Sequence, residues 1–287
     1  MKYSRRDFLI GAAAGAAALA ASNNAVGSSQ AGSPDPDFHV YLAFGQSNME
    51  GFPGIEAQDK TGVDKRFQML AAVDFASLGR KKGEWYNAVP PLCRTSTGLC
   101  PADFFGRTMV ARTPERFTIG VVNVAVAGCK IELFNRETYE AYAATAAAWM
   151  TSIIKEYGGN PYQHLLDMAK LAQKKGVIKG ILLHQGESNT NDKDWPNKVA
   201  KIYNDLIEDL SLRAENVPLL AGETVNADQQ GAAASVNTII AELPKVLRNS
   251  YVISSKGCEC RPDHLHFTPA GYRELGKRYA EKMLEVS

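Results

Sequence analysis

Apolar and polar positions fall in alternating blocks along most of the chain. Five apolar runs, 38–44 (FHVYLAF), 117–126 (FTIGVVNVAV), 177–185 (VIKGILLHQ), 217–223 (VPLLAGE) and 250–255 (SYVISS), are nearly unbroken rather than alternating. Short continuous runs of this kind mark strands covered on both faces. Helical patterns occupy 101–113, 139–158, 161–176, 195–216 and 268–286. Ile202, Leu206 and Leu210 recur at helical spacing, as do Leu275, Tyr279 and Met283. Thr268-Pro269 supplies a cap and a first-turn proline to the last helix. Strands alternating with helices predict an α/β protein, a three-layer α/β/α sandwich around a mainly parallel sheet. Ligands in such folds bind beyond the carboxyl ends of the strands.

The N-terminal segment departs from this pattern. Residues 1–30 open with MKYSRRDFLI and continue as an Ala/Gly/Leu run. They read as a twin-arginine-type signal peptide and leader. Residues 31–37, rich in Gly, Ser and Pro, read as a flexible linker, and 38–287 as a single domain. The expected location is periplasmic or extracellular, with no membrane association after signal cleavage. The net charge is +1, and no basic stripe is concentrated anywhere, which argues against nucleic acid as a partner. All five cysteines, Cys93, Cys100, Cys129, Cys258 and Cys260, lie in the expected mature chain. An oxidising compartment permits disulfides, and Cys93 with Cys100 is the expected pair, closing a short loop.

Three polar stretches fall where strands end: GQSNMEG (45–51), AGCKIE (127–132) and HQGESN (184–189). Ser47 stands directly after the first apolar run and is a candidate nucleophile. A serine after a strand is weak by itself, but RPDHLHFTPAGY (261–272) offers a base just before the last helix. Asp263 and His266 are three apart, so one helical turn would place them together. The carboxylate would fix the imidazole tautomer, leaving the second ring nitrogen to take a proton from Ser47. His264 would point elsewhere.

Taken in order, GQSNMEG, AGCKIE, HQGESN and DHLHFTPAG resemble the SGNH (GDSL-like) hydrolase superfamily, and more narrowly its carbohydrate-esterase branch of sialate O-acetylesterases and acetyl xylan esterases. The resemblance runs from Gly45 to Gly271. It implies a flavodoxin-like sheet and a serine esterase that removes O-acetyl groups from carbohydrate without a cofactor. By position it assigns Ser47 as nucleophile, His266 as general base and Asp263 as its orienting carboxylate. The Ser47 and Gly128 backbone N–H groups and the Gln185 side-chain amide would form the oxyanion hole. Asn48 and Glu187 take supporting roles, Glu187 as a loop anchor or as an alternative partner for the histidine. Glu50 is expected to be solvated. The chain departs from the branch at Leu183, where an aromatic residue is usual, and at Ala127-Gly128-Cys129, where Gly-Gly-Thr or Gly-Gly-Ser is common.

Two other readings have sequence support. Cys258, Cys260, Asp263, His264 and His266 crowd into nine residues and are of zinc-binding types. Their spacing lacks the separated pairs of a tetrahedral site, so no metal is expected. A non-catalytic carbohydrate-binding protein on a hydrolase fold is the other alternative. Trp85, Tyr86 and Trp195 are candidate sugar-stacking surfaces, although a core position is the commoner fate of each. An intact Ser47/Asp263/His266 set favours the enzyme, with an acetylated carbohydrate as its partner.

Overall fold

The structure, a computed structural model, describes residues 33–287 except Pro53. The expected signal peptide and leader lie outside the described residues.

Among the described residues the strands are β1 (Phe38–Gly45), β2 (Phe67–Leu70), β3 (Trp85–Asn87), β4 (Thr118–Ala125), β5 (Val177–His184), β6 (Leu219–Gly222) and β7 (Ser250–Ile253). They form one sheet in the order β3-β2-β4-β1-β5-β6-β7, parallel throughout except for the β2–β3 hairpin at one edge. Without the β2–β3 hairpin the order is β4-β1-β5-β6-β7, which is the flavodoxin-like 2-1-3-4-5 arrangement. The helices are α1 (Ser47–Glu50), α2 (Pro101–Arg112), α3 (Tyr139–Ala144), α4 (Ala148–Glu156), α5 (Pro161–Gln173), α6 (Trp195–Asp209), α7 (Asn237–Ile240), α8 (Leu243–Val246) and α9 (Pro269–Val286).

The central strands are buried on both faces, as their unbroken hydrophobicity predicts; β1 alternates its side chains between two helical layers. Tyr41 meets Phe105 of α2 edge-on at 4.8 Å, and α2 packs against α9 on that side. Phe44, three residues on and so on the opposite face, meets Phe134 at 5.2 Å, beside α5 and α6. The cap on α9 forms as expected, with Thr268 Oγ1 accepting from Gly271 N at 3.2 Å.

Strand register levels the site. Gly45 pairs with Ala125 of β4 on one side and with His184 of β5 on the other. The three polar stretches therefore leave the sheet at the same rim, at the switch point where β4 lies on one side of β1 and the later strands β5, β6 and β7 on the other.

Sequence expectation and structure differ at four places in the fold. The hairpin β2–β3 and the short α7 and α8 are not signalled by the hydrophobic pattern. The 139–158 pattern is split after Ala144 and resumes at Ala148. In a straight helix Tyr142 and Met150 would stand about 12 Å apart along the axis. Here the Tyr142 hydroxyl lies 3.8 Å from Met150 Sδ and accepts from Lys130 N at 3.0 Å. The break lets both short helices dock on the loop after β4. Finally, Cys93 and Cys100 do not pair, and all five cysteines are free thiols. Cys93 Sγ lies 3.3 Å from the Tyr157 hydroxyl, whereas Cys100 Sγ accepts from Asn123 Nδ2 at 3.5 Å. Both thiols are packed into the core against different partners, Tyr157 and Asn123.

Candidate active site

Gly45 closes β1 with φ +150°, and a Cβ there would lie 2.0 Å from the His184 carbonyl oxygen. Only glycine fits between β1 and β5 at this point. That same carbonyl accepts from Gln46 N at 3.0 Å, which turns the chain off the sheet. Ser47 follows as the first residue of α1, with its hydroxyl facing a cavity of about 420 Å³.

The strap before α9 brings His266 and Asp263 to Ser47. Ser47 Oγ and His266 Nε2 are 2.9 Å apart, and His266 Nδ1 is 2.9 Å from Asp263 Oδ2. With the Nδ1 proton donated to Asp263, Nε2 is left as the acceptor facing the serine hydroxyl. The strap is not the helical turn expected from the three-residue spacing. Asp263 instead folds the chain around its own carboxylate, Oδ1 accepting from Leu265 N at 2.9 Å and His266 N at 3.0 Å. Partial burial pushes the Asp263 pKa up, but the bonds from the His266 ring and the two backbone N–H groups outweigh it and bring the value to about 2. Phe52 lies flat on the imidazole, with centroids 4.0 Å apart and planes inclined by 19°. Arg261 covers the other end of this stack, its guanidinium 4.9 Å from the Phe52 centroid.

Gly128, at φ +67° in the loop after β4, also lines the cavity. Among the described residues, neither the Ser47 nor the Gly128 N–H has a protein acceptor outside the cavity. The Gly128 carbonyl accepts from Ser188 Oγ at 2.9 Å, which ties this loop to the one after β5. Two unclaimed amides beside a serine–histidine–carboxylate relay can stabilise an alkoxide that develops next to Ser47.

Residues 37–285 match the family of carbohydrate esterases described as sialic acid-specific acetylesterases. The chain belongs to this family. It is 23% identical over 265 residues to a probable carbohydrate esterase of Arabidopsis thaliana, covering 88% of this chain and 92% of that one. The X-ray structure of an Arabidopsis thaliana protein aligns with a TM-score of 0.67 at 21% identity, over 88% of this chain and 99% of that one. NanS aligns with a TM-score of 0.63 at 16% identity, over 88% and 98%. A carbohydrate acetylesterase from Xanthomonas citri aligns at 0.61 and 18% identity, over 86% of this chain and 56% of that one. The likeness to these solved structures is one of fold.

Within this family member one expected donor is placed differently. Gln185 is buried and does not line the cavity. Its Oε1 accepts from Trp195 Nε1 at 2.5 Å, which fixes the amide orientation. Its Nε2 then faces Asn189 Oδ1 at 2.7 Å, Gln46 Oε1 at 3.1 Å and the Cys129 carbonyl at 3.2 Å. Three protein acceptors surround two hydrogens, so the amide has none to offer an oxyanion. Gln46, which the motif reading passed over, does line the cavity. Its Oε1 faces Gln185 Nε2 and the N–H groups of Gly186 and Ser188, and its own Nε2 has no acceptor among the described residues.

Glu187 bonds to Asn48 rather than to His266. Its Oε1 accepts from Asn48 Nδ2 at 2.6 Å, and Asn48 also donates to the Leu265 carbonyl at 3.0 Å. Tyr272 donates to Asn48 Oδ1 at 2.8 Å. Asn48 thus joins the serine turn, the loop after β5 and the histidine strap. Burial raises the Glu187 pKa and lowers that of the adjacent His184 to about 3, so His184 is a neutral core imidazole. Glu50 is buried rather than solvated, in an ion pair with Arg94.

The residues of the zinc alternative do not come together as one set: Cys260 Sγ lies 3.8 Å from His264 Nδ1, but the others are placed apart from this pair. His264, at φ +53°, turns its Nδ1 to the Gln229 carbonyl at 3.1 Å, away from Asp263 and His266. Cys258 is buried separately. The stacking candidates are also elsewhere: Trp195 is fully buried, Trp85 packs on Phe38 at 4.7 Å, and Tyr86 bonds to Glu84. The aromatic side chains that do line the cavity are Phe52 and Trp149. Trp149 lies inside an alanine-rich helical pattern, and no sequence signal marks it.

Proposed function

We propose that this carbohydrate esterase removes O-acetyl groups from a carbohydrate by two-step acyl transfer through Ser47. The observation that carries the reading is the relay from Ser47 Oγ to His266 Nε2 and from His266 Nδ1 to Asp263, each link 2.9 Å. It joins residues 219 apart in the chain.

Ser47 Oγ attacks the acetyl carbonyl while His266 Nε2 takes its proton, and Asp263 holds the resulting imidazolium. The carbonyl electrons move onto oxygen, which the Ser47 and Gly128 N–H groups receive. The Gln46 amide, facing the same cavity, serves as the third donor in place of Gln185. Each preorganised donor lowers the barrier by about 3 kcal/mol. His266 returns the proton to the departing sugar oxygen as the tetrahedral species collapses to an acetyl-enzyme. Water, deprotonated by the same imidazole, then attacks the acetyl carbonyl and releases acetate and free Ser47. Phe52, stacked on His266, keeps bulk water from one face of the imidazole.

The twin-arginine-type leader supports export to the periplasm or beyond, which cell fractionation of wild type and an Arg5→Lys/Arg6→Lys variant tests. The enzymatic reading is tested by acetate release from a panel of acetylated oligosaccharides, with Ser47→Ala as the blank. Acetate release by wild type alone is expected, and equal release by both proteins contradicts the assignment.

A further inference from the structure

Trp149, the second residue of α4, is 54% exposed. Leu78 and Val246 are also exposed large apolar side chains, but neither lines the catalytic cavity. Among the described residues no ring stacks on the Trp149 indole. A Cβ at Gly128 would meet Trp149 Cη2 at 2.7 Å, so the indole lies against the glycine that lines the cavity with Ser47. Burying one edge of a tryptophan against a glycine while leaving the ring in water gives up apolar burial, unless a ligand covers it. A sugar whose ester carbonyl sits between Ser47 and Gly128 carries its ring only a few bonds away, within reach of that indole. The apolar face of a pyranose, formed by its axial C–H bonds, suits the electron-rich face of an indole.

The charges in the cavity narrow the sugar. Apart from His266, Arg94 is the cation among the described residues lining it; Arg261 lies 4.9 Å from the Phe52 centroid and is not part of the lining. Arg94 is buried in an ion pair with Glu50, and its other terminal nitrogen is 3.7 Å from Glu156 Oε2. A substrate carboxylate approaching Arg94 would meet two resident carboxylates and would have to displace a buried partner. Ser96, Thr97 and Ser188 line the remaining wall with hydroxyls.

We propose that this cavity takes a neutral O-acetylated pyranose stacked on Trp149, and that it discriminates against acetylated sugars bearing a carboxylate. The proposal rests on the esterase reading above and deepens it to a substrate class. Its test compares kcat/KM of wild type, Trp149→Ala and Trp149→Phe on three esters: p-nitrophenyl acetate, an acetylated xylo-oligosaccharide and 9-O-acetyl-N-acetylneuraminic acid. Wild type is expected to favour the neutral oligosaccharide over the sialate by about tenfold or more. Trp149→Ala is expected to lower the oligosaccharide value by about tenfold more than the p-nitrophenyl acetate value, mainly through KM, with Trp149→Phe recovering most of it. Equal losses on oligosaccharide and p-nitrophenyl acetate overturn the stacking role, since Trp149 would then act only by supporting Gly128. A wild-type preference for the sialate overturns the neutral class. Absence of turnover on all three esters overturns the esterase reading itself.

Discussion

Asp263→Asn separates the two tasks of the carboxylate. Oδ1 holds the backbone N–H groups of Leu265 and His266 at 2.9 and 3.0 Å, while Oδ2 receives the His266 ring proton at 2.9 Å. An asparagine has one oxygen for these two positions. If the oxygen stays with the backbone pair, two bonds survive and the NH2 group faces Nδ1. If it flips, two backbone donors face an NH2 group, each unmet donor costing about 1–3 kcal/mol. The first arrangement wins, so the strap keeps its shape. Nδ1 must then accept, and the ring proton moves to Nε2, where it points at Ser47. A serine facing a donor has no base. A relay with this tautomer error loses roughly 10^4 in kcat, about 5.5 kcal/mol of barrier. Steady-state kinetics on p-nitrophenyl acetate should show that loss in kcat with little change in KM. Urea unfolding should stay within about 1 kcal/mol of wild type. A loss below about tenfold would refute the reasoning, as would a comparable loss of stability.

Three further outcomes follow from the same geometry. Gly128→Ala places a Cβ at φ +67° against Trp149 Cη2, so it should lower stability by about 1–2 kcal/mol and kcat by about 10^2 or more; unchanged kcat in a folded variant contradicts an oxyanion role for this loop. Gln185→Ala strips the partners of Trp195, Gln46, Asn189 and the Cys129 carbonyl, and should cost about 3 kcal/mol in urea unfolding with less than tenfold loss of kcat, whereas a direct oxyanion donor would show the reverse. Burial lowers the His184 pKa to about 3, so from about pH 6.5 downward the unfolded chain binds one more proton than the folded one; stability present above that pH is lost at about 1.4 kcal/mol per pH unit as the pH falls. The stability difference between wild type and His184→Gln should shrink by about 2 kcal/mol between pH 6.5 and pH 5, and a constant difference refutes the assignment.

The parallel core was legible because each of its strands is a continuous apolar run ending in a polar cluster. The meeting of Ser47, Asp263 and His266 was legible for a similar reason: short polar segments follow buried strands or precede a capped helix. What escaped were features decided by tertiary contacts. β2, FQML, is interrupted by Gln68, and β3 has only three residues, so neither stands out as a continuous apolar run. The alanine-rich 139–158 segment has helix propensity throughout, and its break comes from Tyr142 and Met150 both docking on the loop after β4. Spacing put Asp263 beside His266 correctly, but an Asx-type turn does the work expected of a helical turn. The motif also named Gln185 without showing that Trp195 and Asn189 would claim its amide. Trp149 is one aromatic residue in an alanine run, and only the fold sets it beside Gly128.

The most direct test of the Ser47 assignment is acid-quenched mass spectrometry after a brief exposure to p-nitrophenyl acetate. The account predicts one acetyl group on the peptide containing Ser47, absent from Ser47→Ala and gone from wild type once the ester is exhausted. Acetylation at another residue with Ser47→Ala still turning over, or turnover by wild type with Ser47 never acetylated, would contradict it.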